Sequence, residues 1–84
     1  MLKLVKYGSS WCAPCKQLTP ILEELKNRVE IEEFDVDELD ESVLSEKKIR
    51  NIPVLILEKD GTEVWKHIGS ISKSELEKKL EEYA

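Results

Sequence analysis

Cys12 and Cys15 are the only cysteines in the chain and stand three positions apart. Bridged to each other they close almost no loop, so a bridge would add little to folding stability and the pair's value must lie in its chemistry. Two thiols at this spacing can cycle between dithiol and disulfide. They can also supply half of a zinc or iron–sulfur site, provided a second chain or further ligands complete the shell. His67 is the only histidine and falls far downstream, in a segment that reads as an exposed strand, so a metal has few ligands to draw on. A close pair of this kind suits a reducing compartment, where vicinal cysteines are more often catalytic or metal-binding than architectural.

The elements around the pair decide which cysteine does what. Leu2 to Tyr7 reads as a strand, and Gly8-Ser9-Ser10 ends it with turn chemistry that feeds directly into the cysteines. From Ala13 to about Asn27, Leu18, Ile21, Leu22 and Leu25 follow helical spacing; Pro14 is acceptable in the first turn, and Pro20 should kink the helix. Cys12 therefore falls at a helix N-terminus, where unpaired N–H groups and the macrodipole favour an anion, which makes it the expected nucleophile. Cys15 lies one turn further in and less exposed, positioned to attack a mixed disulfide on Cys12 and release the product.

The rest of the chain supplies the platform. Val29 to Val36 reads as a second strand in which Val29 and Ile31 alternate one way and Phe34 and Val36 the other, as a parallel strand with both faces covered would accept. A short helix is expected from about Leu39 to Lys48, with Leu39, Val43 and Leu44 inward. Val54-Leu55-Ile56-Leu57 after Ile52-Pro53 suits a central strand, Asp60-Gly61 a turn, and Thr62 to Ile68 its hairpin partner, with Trp65 covering sheet surface. Ser72 with Glu75 predicts a capping box that opens a last helix through Leu76, Leu80 and Tyr83. The order β-α-β-α-β-β-α implies an α/β fold: a four-stranded mixed sheet flanked by helices, its first two strands parallel through a right-handed crossover and its last two antiparallel.

At 84 residues the chain is expected to form one domain, residues 1–84. Its 37% charged and 40% apolar residues are those of a soluble globular protein. The longest apolar run, Val54 to Leu57, is too short to cross a bilayer, and the N-terminus lacks the pattern of a secretory signal, so a cytoplasmic location is expected. Thirteen basic against eighteen acidic residues give a net charge of −5, which argues against nucleic acid or an anionic membrane as partner.

The run Ser10-Trp11-Cys12-Ala13-Pro14-Cys15-Lys16, together with Ile52-Pro53, Asp60-Gly61 and Gly69, resembles the thioredoxin family over essentially the entire chain. The family's usual signature is Trp-Cys-Gly-Pro-Cys-Lys, so Ala13 stands where glycine is typical. The resemblance implies a short, glutaredoxin-length thioredoxin that begins one strand and one helix later than a standard one. It implies a monomer that reduces protein disulfides through a redox-active Cys12–Cys15 disulfide with no bound cofactor, and that is itself reduced by a thioredoxin reductase or similar donor. Pro14, with Ala13, would tune the redox poise towards a reductant. Pro53 matches the family's cis-proline facing the disulfide; the backbone of Ile52 would then pair with an extended substrate, and Trp11, Gly69 and the Ile52-Pro53 loop would frame an apolar contact surface.

One departure stands out. Thioredoxins place a buried aspartate six residues before the first cysteine, where it assists proton transfer to the resolving cysteine, and a lysine on the neighbouring strand accompanies it. Aligned on Val36-Asp37, this chain has Lys6 and Glu33 there. The exchanged charges imply either a partly buried pair near Cys15, with Glu33 as proton acceptor, or a Lys6 that merely snorkels from the sheet edge. Two rival functions are a glutathione-dependent, glutaredoxin-like reductase, which would typically carry Cys-Pro-Tyr-Cys, and a binding subunit of the same fold whose redox activity is incidental.

Overall fold

β1 (Leu2–Gly8) is the strand against which the other layers are built. In the computed structural model, which describes residues 1–84, it runs parallel to β2 (Glu30–Asp35), with Lys3 opposite Glu30 and Gly8 opposite Asp35. On its other side it runs antiparallel to β3 (Val54–Lys59), which pairs Tyr7 with Val54. β3 turns through Asp60 and Gly61, both at positive φ (53° and 85°), into β4 (Thr62–Ile68). Two successive left-handed residues match the right-handed twist of a tight hairpin. The sheet order is β2-β1-β3-β4.

Alternation along the two central strands divides the core between the faces. Leu4, Leu55 and Leu57 meet Leu18, Leu22 and Leu25 of α1 (Ala13–Leu25) and Leu76 and Leu80 of α3 (Lys73–Tyr83). Val5, Tyr7, Val54 and Ile56 face the other way, under Ile49 and the partly buried Phe34, Val36, Leu39 and Leu44. Each fully buried leucine contributes on the order of 1.5–3 kcal/mol, so the sheet is held from both sides. The two phases read in the second strand are these two faces: Val29 and Ile31 pack under α1, Phe34 and Val36 on the opposite side.

The segment after β2 differs from expectation. Val36–Glu38 form a 3-10 turn in which Asp35 Oδ1 accepts from Asp37 N at 2.9 Å, and α2 spans only Glu41–Glu46. Leu39 lies outside that helix, extended at φ −102° and ψ 148°, yet still packs against the core. The aspartate side chain at the head of the turn competes with helix formation there, and Lys48 at φ 59° ends the helix. α1 continues through Pro20 to Leu25, and α3 starts with one arm of the predicted capping box, Glu75 N donating to Ser72 Oγ at 3.2 Å.

Candidate active site

The pairing registers bring four chain segments to one end of the sheet. Gly8 ends β1 opposite Asp35 at the end of β2, while Tyr7, one residue earlier, pairs with Val54 at the start of β3, which in turn faces Ile68 at the end of β4. The cysteine motif, the Val36–Glu38 turn, Ile52-Pro53 and Gly69 all follow or precede those residues directly.

Cys12 is the N-cap of α1, at φ −97° and ψ 111°, and its Sγ accepts from Cys15 N at 3.3 Å. It is joined to Cys15 as a disulfide with Cα atoms 5.2 Å apart. Cys12 is 7% exposed and Cys15 1%, the order required if an incoming sulfur meets Cys12 first. Pro14 occupies the first turn, where its missing N–H leaves no helical bond unmade, and both Ala13 and Pro14 are exposed on the outer lip. An amide pointing at Sγ and the end of a helix dipole both favour a sulfur anion at this position.

Trp11 is 68% exposed, further out than a half-covered contact residue. It is nonetheless fixed, because Nε1 donates to Asp37 Oδ2 at 2.7 Å. The Ile52–Pro53 peptide is cis. Pro53 is buried, its carbonyl accepts from Gly69 N at 2.8 Å, and Gly69 holds φ 97°, which ties the loop to the end of β4. Trp65 packs on the α1 face, as expected. His67 is only part-exposed, in contrast to its reading as an open strand residue: it stacks on Trp65 and its Nε2 is 2.9 Å from the Ser70 carbonyl.

Behind the pair stands Lys6, 8% exposed. β1 is an interior strand, so Lys6 does not snorkel from a sheet edge. Its Nζ lies 3.7 Å from Glu33 Oε1, its register partner on β2, and 3.4 Å from Thr19 Oγ1 on α1. Glu33 itself is about half exposed and meets Lys6 at the solvent side. A cavity of about 290 Å³ opens here between Lys6, Gly8, Ser9, Glu33, Asp35 and Glu38, and Ser9 Oγ is buried without a partner.

Sequence reasoning passes over three residues of this site. Gly8 reads as part of a turn but is the last residue of β1, where a Cβ would come within 3.2 Å of Cys15 Sγ. Ser9 reads only as a turn former. Asp37 serves as an alignment anchor, and nothing local to it announces a bond to Trp11.

A strand that hands a disulfide to a helix N-terminus, on a four-stranded mixed sheet covered on both faces, defines a thioredoxin-fold dithiol oxidoreductase. Among curated relatives, the chain is 40% identical over 77 residues to thioredoxin C-2 of Corynebacterium nephridii, covering 87% of this chain and 70% of that protein. It is 37% identical to a thioredoxin of Staphylococcus epidermidis, covering 98% of this chain and 82% of that one. Among solved structures, a mutant thioredoxin from Halobacterium salinarum superposes with TM-score 0.89 at 30% identity, over 98% of this chain and 74% of that one. Fasciola hepatica thioredoxin gives 0.85 at 27%, over 99% and 81%. The Thioredoxin family model matches residues 1–82, and the chain belongs to the thioredoxin family. It is a thioredoxin-type protein disulfide oxidoreductase, a family that acts on disulfide substrates together with a thioredoxin reductase.

Proposed function

We propose that the chain works as a reductant of protein disulfides, with Cys12 as nucleophile and Cys15 as resolving cysteine. The observation that carries this assignment is Cys12 Sγ accepting the Cys15 amide at the head of α1, while Cys15 is almost fully covered. The Cys12 thiolate attacks one sulfur of a substrate disulfide; the new bond joins Cys12 to that sulfur, and the other leaves as a thiolate. Cys15 then gives up its proton and attacks Cys12 Sγ. The second substrate sulfur departs, and two electrons have passed from the dithiol to the substrate.

Trp11, Ile52, Pro53 and Gly69 form the docking surface, with the Ile52 backbone offering strand-type hydrogen bonds to an extended substrate segment. Ala13 and Pro14 shape the rim and set the poise. The cavity beside Lys6 and Glu33 is the way out for the Cys15 proton. The protein acts as a monomeric single domain in the cytoplasm, with a thioredoxin reductase restoring the dithiol and no bound cofactor.

Insulin-disulfide reduction with dithiothreitol as donor tests the reading. Turnover well above the thiol background is expected. Cys12→Ser should abolish it, while Cys15→Ser should accumulate a mixed disulfide between Cys12 and the substrate. Catalysis no faster than dithiothreitol alone, or substrate trapped on Cys15 in the Cys12→Ser variant, would overturn it. If the double serine variant keeps full activity in the cell, the fold serves as a binding subunit instead.

A further inference from the structure

Lys6 is the only charged residue in the buried set, and it is lightly held. An ammonium has three protons to donate, yet its nearest acceptors are the Thr19 hydroxyl at 3.4 Å and the Glu33 carboxylate at 3.7 Å. Neither is a short charge-assisted bond, and a covered cation so placed costs stability. The position is informative: the point where a Gly8 Cβ would lie is 3.3 Å from Lys6 Cε and 3.2 Å from Cys15 Sγ. The lysine stem and the inner sulfur therefore flank one small space. The disulfide state puts no charge there, whereas the exchange cycle creates one each time Cys15 is deprotonated.

We propose that Lys6 is a positioning residue for exchange: its ammonium is held at Thr19 and Glu33, on a stem that flanks the same small space as Cys15 Sγ, and from there it stabilises the Cys15 thiolate. The proposal rests on Cys15 being the resolving cysteine. In the resolving step the Cys15 S–H bond breaks, its electron pair stays on sulfur, and the proton passes to solvent water. The thiolate then bonds to Cys12 Sγ, the Cys12–substrate bond breaks, and the departing sulfur takes a proton from water. Lys6 neither gives nor takes a proton. It lowers the energy of the anion, a task opposite in kind to that of a carboxylate base.

The charged groups near Lys6 and the Gly8–Cys15 contact come from several elements. β1 contributes Lys6, β2 contributes Glu33 and Asp35, and the 3-10 turn contributes Glu38, all bordering the cavity; α1 contributes the exposed Lys16, next in sequence to Cys15. The carboxylates oppose the effect. Glu33 and Glu38 are exposed and screened by water, and the part-buried Asp35 has its Oδ1 engaged by the Asp37 amide, whereas Lys6 is covered, so the cation prevails.

The test is the pH profile of resolution during insulin reduction, together with the Cys15 thiol titration followed by thiolate absorbance in a Cys12→Ser background. Lys6→Met should move both midpoints up by about one unit, the size expected for losing one nearby opposite charge. Lys6→Arg should restore them. Glu33→Gln, on the exposed rim, should lower both midpoints by freeing Lys6 from its counter-charge, and this reading stands even if Lys6→Met does not fold. Unmoved midpoints in Lys6→Met overturn the proposal, as does a Glu33→Gln variant slowed at every pH, which would make Glu33 the proton acceptor. If Cys15→Ser reduces insulin as fast as the parent, it is the resolving role of Cys15 that fails; a normal trap with an unmoved Lys6→Met midpoint rejects the Lys6 proposal alone.

Discussion

Gly8 and Cys15 are packed so closely that a Cβ on the glycine would lie 3.2 Å from both the Cβ and the Sγ of the cysteine. Gly8 does not sit at positive φ, so its requirement is for space rather than for unusual backbone conformation. The last residue of β1 thus lets the first turn of α1 settle on the sheet with Cys15 covered. Gly8→Val should cost roughly 1–3 kcal/mol through overpacking, read as a lower midpoint in urea unfolding. Because the displaced atom is Cys15 Sγ, the resolving step should slow in the same variant. Parental stability would show that the helix can shift freely and that the contact is not restrictive.

A second prediction separates the core from the surface. Leu55 is 0% exposed at the centre of the sheet, paired with Lys6 on β1 and His67 on β4, whereas Ile68 is 55% exposed at the end of β4. Leu55→Ala should destabilise by about 2–5 kcal/mol, enough to threaten folding in a domain this small. Ile68→Ala should change stability by no more than about 0.5 kcal/mol. Thermal or denaturant unfolding of the two variants side by side checks both.

How much of the site is legible in the sequence depends on whether its cause is local. The helix at Cys12 follows from the apolar spacing of Leu18, Ile21, Leu22 and Leu25, and the hairpin from Asp60-Gly61, because each is written within a few residues. The sheet order is not, since which strand lies beside β1 is decided by packing across the whole chain. Leu39 is misplaced for a related reason: its spacing to Val43 and Leu44 suits a helix, but Asp35 captures the Asp37 amide and starts a tighter turn first. Lys6 and Glu33 are matched only through family resemblance, because the register of two parallel strands separated by a helix leaves no trace in either strand. The Trp11–Asp37 bond, spanning 26 positions, leaves none at all.

At the far end of β1, Lys3 bonds Glu32 at 3.1 Å and also faces Glu30 and Glu58. The hydrogen bond to Glu32 holds the ammonium above its ordinary pKa, with Coulomb attraction to Glu32, Glu30 and Glu58 adding to it and desolvation working against it. A raised lysine pKa means the pair's contribution is complete below the unfolded-state value and is lost as pH rises through the folded one, so it is fully present at neutral pH and disappears only in strong alkali. NMR titration of Lys3 should show the elevation, and Glu32→Gln should reduce it. Stability at neutral pH should not change measurably, because the pair lies open to solvent.

Asp37 gives the last prediction. Its Oδ2 accepts from Trp11 Nε1 at 2.7 Å, and this bond holds an indole that is otherwise 68% exposed beside the disulfide. An exposed side chain loses rotamer entropy when it is fixed, so Trp11 should swing freely once the acceptor is gone. Asp37→Ala should therefore shift the Trp11 fluorescence in a Trp65→Phe background, while costing no more than about 1 kcal/mol of stability. If Trp11 belongs to the proposed docking surface, protein substrates should be reduced several-fold more slowly. Small disulfides, which need only reach Cys12, should react at close to the parental rate. An equal slowing for both substrate sizes would place the effect on Cys12 itself, and an unchanged rate for insulin would remove Trp11 from the docking surface.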